Sequence, residues 1–101
     1  MLDDPGLMKK RYGGPAAKRL QKRIMELWAC EALADMRQHK GARLHRLRGA
    51  RDGQWAVDVD GARRLIFKPS VNPVPMLPDG GIDESKITRI VLLEVEDYHD
   101  G

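Results

Sequence analysis

A single cysteine, Cys30, leaves the chain without the means to close an intrachain disulfide, which is compatible with a reducing compartment. No apolar run approaches the roughly 20 residues that a membrane-crossing helix needs, so a transmembrane span is not expected. A secretory leader is not expected either. Met1-Leu2-Asp3-Asp4-Pro5 carries acid where such a leader carries base, and no apolar stretch follows it. A cytoplasmic location is the default expectation. Neither internal repeats nor low-complexity tracts occur, and 101 residues suffice for one domain with one modest core. Cys30 has no ligand-like spacing to His39 or His45, so neither a metal site nor a cofactor is expected. Acid is scarce in the first two-thirds: residues 1–68 hold 16 Lys and Arg against 8 Asp and Glu, whereas residues 69–101 hold 2 against 7. Such a basic stretch makes a nucleic acid a candidate partner, the alternative being a solvated surface of mixed charge.

The apolar pattern divides the chain. Gly13-Gly14-Pro15 separates an irregular start, read as a short helix or a loose arm, from an amphipathic helix. In that helix Leu20, Ile24, Leu27 and Trp28 recur at i, i+4, i+7 and i+8, with Lys18, Arg19, Lys22 and Arg23 largely off the stripe. Helical character is expected to continue past a bend near Cys30, through Ala32, Leu33 and Met36, and to end before Gly41. Leu44 to Arg48 then reads as a strand. Trp55, Val57 and Val59 alternate with Ala56, Asp58 and Asp60 in a second strand, and Asp60-Gly61 predicts a tight turn into a third, Ala62 to Lys68. The proline- and glycine-containing stretch 69–86 predicts a long connection, either functional or disordered. Thr88 to Glu96, apolar on both faces, predicts a central strand. Trp55, Val57, Leu65, Phe67, Leu93 and Val95 are expected to share a core with Leu20, Ile24 and Leu27.

Two imidazoles, several guanidinium groups, a phenol and a carboxylate fall on or beside these strands, a set suited to cutting a phosphodiester. RNA cleavage needs a base for the 2′-hydroxyl, cations for the charge building on the phosphoryl oxygens, and an acid for the leaving 5′-oxygen. His45 and His99 suit proton transfer, since imidazole titrates near neutral pH. Arg48 and Arg64 suit a phosphate clamp through a planar, permanently charged fork. Tyr98 could stack on a base or orient a group, and Asp97 could hold a tautomer or pair with an arginine.

These residues lie in a recognisable order: His45-Arg46-Leu47-Arg48-Gly49, Gly53-Gln54-Trp55, Arg64-Leu65-Ile66-Phe67-Lys68-Pro69 and Asp97-Tyr98-His99. The pattern resembles the HigB-like (plasmid maintenance killer) toxins of the RelE/ParE superfamily. It spans roughly residues 14–99 and includes the loop from Asn72-Pro73 to Asp79-Gly80-Gly81, typical of a branch sometimes named killer suppression protein. The resemblance implies an α+β fold, a single RelE-like domain over residues 1–101 with N-terminal helices packed on an antiparallel sheet. It further implies a metal-independent endonuclease acting on ribosome-bound mRNA and a helix-turn-helix HigA-like antitoxin as partner. By the same resemblance, cleavage residues fall on His45, Arg48, Arg64, Asp97, Tyr98 and His99, and RNA contacts on Arg46, Arg51, Arg63 and Lys68. Arg64 would stabilise the phosphoryl group, and Arg48 and His45 would act at the nucleophile or on the phosphate. His99, with Tyr98 and Asp97, would orient the RNA or protonate the leaving oxygen.

Three features depart from the family pattern. Arg48 stands where lysine is more usual, which keeps the charge but changes the donor geometry. Asp52 introduces an acid near the expected RNA path. The family's first β-strand has no counterpart before Met8, so a sheet edge or the N-terminal helix is expected to be completed by the antitoxin or by a second copy. That third departure supports an alternative, a shortened, non-catalytic toxin that docks its antitoxin and serves in autoregulation. A gyrase-directed member of the superfamily is a third reading, against which His99 argues.

Overall fold

Alternation and helical spacing generate an α+β fold in which, among the described residues, one α-helix packs on a four-stranded antiparallel sheet. The computed structural model describes residues 14–71 and 73–97. Helix α1 (Gly14–Ala29) buries Ala16, Ala17, Leu20, Ile24 and Leu27, a single stripe at helical spacing. Trp28 lies off this stripe and is 55% exposed, which corrects its assignment to the buried face. Helix α1 is tied to the sheet by Arg23, whose Nε donates to the Asp58 carbonyl at 2.7 Å while its Nη1 meets Glu26 at 2.9 Å.

Helical character resumes after Cys30 as expected, in 3-10 rather than α geometry. It forms two turns, Leu33–Gln38 and Lys40–Ala42, the second of which runs through Gly41 and so passes the expected end. Asp35 accounts for the break, since its carboxylate accepts the backbone N–H groups of Glu31 and Ala32 and thereby fixes the chain reversal. The three-residue repeat of 3-10 geometry then stacks Leu33 and Met36 into the core.

The sheet is a meander of β1 (His45–Arg46), β2 (Trp55–Asp58), β3 (Arg63–Pro69) and β4 (Ile90–Asp97), in that spatial order. Strand β1 is shorter than the expected Leu44 to Arg48, because a 3-10 turn at Gly49–Arg51 follows it closely; Leu44 and Leu47, of opposite parity, bury into clusters on opposite faces. That turn needs left-handed backbone, which Gly49 (φ 67°) and Gly53 (φ 90°) supply. The β2–β3 hairpin forms as expected, with a different turn. Gly61 is not left-handed; instead Asp60 accepts the N–H groups of Ala62 and Arg63 at 2.9 Å each and closes the loop through its side chain.

Trp55, Val57, Leu65 and Phe67 share the main core with Leu20, Ile24 and Leu27, as the sequence predicts, and Val95 packs partly buried against it. Each such side chain, fully buried, contributes about 1.5–3 kcal/mol. Leu93 does not join them. Strand β4 carries a bulge: Ile66 pairs with Glu94 but Phe67 with Leu92, so Leu93 falls out of register and is 38% exposed. Among the described strands β4 is also an edge rather than a central strand.

The long connection between β3 and β4 is folded onto the body. Met76 bridges to Ile82, Ile87 is buried, and Leu33 N–H donates to the Ile87 carbonyl at 2.8 Å. Glu84 anchors this segment. Both its oxygens take the Arg37 guanidinium, at 2.7 and 3.0 Å, and one accepts Trp55 Nε1–H at 3.4 Å. The Arg37 hydrogen bonds hold the Glu84 carboxyl below the usual carboxylate range, against the opposing effect of its burial. No helix among the described residues is long and apolar enough to cross a membrane.

Phe67→Ala is expected to cost about 3–5 kcal/mol, whereas Leu93→Ala should stay within about 0.5 kcal/mol because its side chain lies outside the core. Urea unfolding of the two variants checks the bulge; comparable losses would place Leu93 inside.

Candidate functional site

Because side chains alternate along a strand, the register decides which face each candidate occupies. Trp55 pairs with Phe67 and both lie under α1; Ala56 pairs with Ile66, and with Leu47 they form a second, small apolar cluster on the other face, helix-free among the described residues. His45 pairs with Ala56 and therefore belongs to that face, as do Arg64 and Lys68, which alternate with the buried Leu65 and Phe67. Across from them, Glu94 and Glu96 pair with Ile66 and Arg64. The helix-free face thus collects an imidazole, cations and two carboxylates around an apolar floor.

The charges on this face are engaged with one another. Arg64 directs Nε and Nη2 to one oxygen of Glu96 at 2.8 and 2.5 Å. Arg51, from the 3-10 turn after β1, reaches across the face: Nη1 donates to Gln54 at 2.9 Å, and Nη2 meets Glu94 at 3.0 Å and Glu96 at 3.1 Å. Glu96 is held below the ordinary carboxylate range, first by the Arg64 hydrogen bond and then by the charges of Arg64 and Arg51, against desolvation. Lys68 is exposed, with no ion pair among the described residues. The basic stretch and the acidic last third of the chain therefore meet as adjacent strands and largely compensate each other.

His45 is half-buried, and its Nδ1 stands 2.7 Å from the Arg43 carbonyl oxygen. Arg43 itself pairs with Asp58 at 3.5 Å. Arg48 is exposed two residues beyond β1, where it precedes the Gly49–Arg51 turn, on the side opposite to Leu47 by strand alternation and on the order of 20 Å from Arg64 by strand rise and spacing. The two arginines do not converge on one phosphate in this arrangement.

The remaining candidates divide by parity. Arg63 and Asp97 pair with each other in register and lie on the helix side, their side chains 4.0 Å apart, with Arg63 also bound to Asp60 at 2.9 Å. Arg46 shares that side, its guanidinium 5.7 Å from the Trp55 ring centroid and 3.6 Å from Asp52. Of the expected RNA contacts, Arg51 and Lys68 reach the helix-free face and Arg46 and Arg63 do not. Tyr98 and His99 lie outside the described residues.

A half-open pocket of about 400 Å³ opens elsewhere, between the end of α1 and the start of β4, lined in part by Trp28, Cys30, Ile87, Arg89 and Ile90. None of the residues singled out for catalysis lines it. Burial, followed by the charges of Asp35 and Glu26, pushes the Cys30 thiol up, which disfavours the thiolate. Among the described residues no group of three or more His, Cys, Asp and Glu side chains is placed to hold a metal ion.

The chain matches no family model and no curated protein. What the site can do therefore follows from its own chemistry: a sheet surface with guanidinium cations, carboxylate counter-charges and one imidazole. Glu94, Glu96, Gln54 and Arg43 were not among the candidates; the alternation Glu94-Val95-Glu96, opposite Arg64-Leu65-Ile66, was the signal for the first two.

Glu96→Gln should leave Arg64 and Arg51 less compensated and strengthen binding of a short single-stranded RNA. The expected reading is a salt dependence of log K steeper by roughly 0.7, one additional phosphate contact; an unchanged slope would mean that Glu96 does not compete with phosphate.

Proposed function

We propose that this chain is a HigB-like endoribonuclease that cleaves ribosome-bound mRNA and is restrained by a helix-turn-helix HigA-like antitoxin in the cytoplasm. The observation supporting it most strongly is the arrangement of His45, Arg51, Arg64 and Lys68 on one face of the sheet that no described element covers. An extended RNA on that face meets Lys68 and Arg51 as phosphate contacts, and Arg48, expected at the phosphate from the resemblance, stands beyond the end of β1. Arg64 exchanges its Glu96 partner for the phosphoryl oxygens, where charge builds during in-line attack and a fixed guanidinium contributes most. His45 acts at the nucleophile. The roles of Tyr98 and His99, orientation of the RNA or protonation of the leaving oxygen, rest on the resemblance alone. Asp97, beside Arg63, has a positioning role at the end of β4 in this scheme.

A second reading is the non-catalytic module that binds the antitoxin. The observation favouring it is that Arg64 and Arg51 already hold Glu96 and Glu94 at 2.5–3.1 Å, the arrangement of a surface stabilised without RNA.

Expression of the chain without antitoxin distinguishes the two. The enzyme reading predicts growth arrest and ribosome-dependent mRNA cleavage, reduced on the order of 100- to 1,000-fold by Arg64→Ala, reduced by His99→Ala, and unaffected by Lys86→Ala, whose side chain is 73% exposed. Site variants as toxic as Lys86→Ala at equal expression would refute the assignment of residues. A wild-type chain that neither arrests growth nor cuts mRNA would leave the binding module.

A further inference from the structure

The contact between His45 and Arg43 fixes more than a ring orientation. A carbonyl oxygen only accepts hydrogen bonds, so the 2.7 Å approach of Nδ1 to the Arg43 oxygen requires the proton on Nδ1. In the neutral ring that leaves the lone pair on Nε2. Nε2 has no hydrogen-bond partner among the described residues, and the register puts His45 on the helix-free face. The carbonyl is aimed by an unusual backbone: Arg43 is the only non-glycine among the described residues with a positive φ (φ 48°, ψ 56°), a left-handed conformation that L-residues avoid. It closes the Lys40–Ala42 turn, with Arg43 N–H donating to the Lys40 carbonyl at 3.1 Å, so the turn that delivers the chain into β1 also orients the acceptor.

We propose that the left-handed backbone of Arg43 locks His45 in the Nδ1–H tautomer and so makes His45 Nε2 the general base of RNA cleavage. Arg43 is a positioning residue through its carbonyl, and the base role rests on the endoribonuclease reading above. Nε2 takes the proton of the RNA 2′-hydroxyl, O2′ forms the bond to phosphorus, and the bond from phosphorus to O5′ breaks. The products are a 2′,3′-cyclic phosphate and a 5′-hydroxyl whose proton comes from a second group or from water. The imidazolium formed keeps its Nδ1–H on the Arg43 carbonyl, and that bond strengthens as the ring becomes charged. His45 then no longer stands as an alternative phosphate contact, because a neutral Nε2 offers a lone pair and no donor.

Nitrogen NMR of the ¹⁵N-histidine-labelled full chain, at a pH where the ring is neutral, tests the tautomer without any RNA. The His45 signals, identified by their loss in His45→Asn, are expected to show a protonated-type Nδ1 and an unprotonated-type Nε2, the reverse of the Nε2–H form that histidine side chains favour in water. A dominant Nε2–H form at His45 would overturn the proposal. Arg43→Gly, which accepts the left-handed backbone, should keep the spectrum; Arg43→Val, whose branched Cβ resists it, should move it toward Nε2–H. For the base role, His45→Asn places an amide where Nδ1 stood and supplies no base, so it should fold with an unchanged melting temperature and cleave ribosome-bound mRNA about 100-fold or more slowly. Cleavage by His45→Asn at the wild-type rate overturns the base role. Absence of cleavage by the wild type overturns the endoribonuclease reading and the base role with it, while the tautomer is decided by the spectrum alone.

Discussion

The pairing of Trp55 with Phe67 is the constraint from which the rest of this molecule follows. These two rings are buried at the centre of the sheet against Leu20, Ile24 and Leu27, and a one-residue slip between β2 and β3 would turn both into solvent. With that register fixed, parity alone sends Arg64 and Lys68 to the helix-free face and Arg63 to the other. Glu84 secures the same centre from outside, through Trp55 Nε1–H and the Arg37 fork, so the long connection before β4 is held to the core it covers. Site and core are two faces of one strand pairing.

The second consequence concerns charge. Strand β4 comes from the acidic third of the chain and lies beside β3 from the basic part, so Glu94 and Glu96 sit within reach of Arg51 and Arg64. Ion pairs on a sheet surface, here with side chains 25–52% exposed, contribute modestly to stability, about 0–1 kcal/mol for those open to water and salt. Their weakness is what makes them exchangeable. In the proposed function a phosphate takes the place of a carboxylate on Arg64 at small cost, and the face that stores the cations between encounters becomes the face that binds the backbone.

Much of this was legible in the residues. The spacing of Leu20, Ile24 and Leu27 and the alternation through Trp55 and Val57 each repeat at the period of their element, so helix and hairpin could be read directly. The phase of β4 could not. Ile90 to Leu93 are apolar without interruption, and such a run has no preferred face until a bulge supplies one, which is why Leu93 was expected inside and is found outside. The turn at Asp60-Gly61 was located correctly and its mechanism was not, since an aspartate side chain closed the loop without left-handed glycine. For the site, residue types pointed to phosphodiester chemistry, but adjacent letters such as Arg63 and Arg64 look equivalent in a sequence and stand on opposite faces of a sheet. Glu94 and Glu96 drew no attention because the apolar residues on both faces of Thr88 to Glu96 suggested a covered, central strand.

The central claim is that the helix-free face, and not the helix side, receives RNA. Titration of the labelled chain with a short 2′-O-methyl RNA, which lacks the nucleophile and is not cleaved, tests it through the arginine Nε–H and histidine ring signals in NMR. The account predicts that Arg64, Arg51 and His45 move together with binding while Arg46 and Arg63 do not. Saturable shifts at Arg46 and Arg63 with Arg64 and His45 unmoved would contradict it.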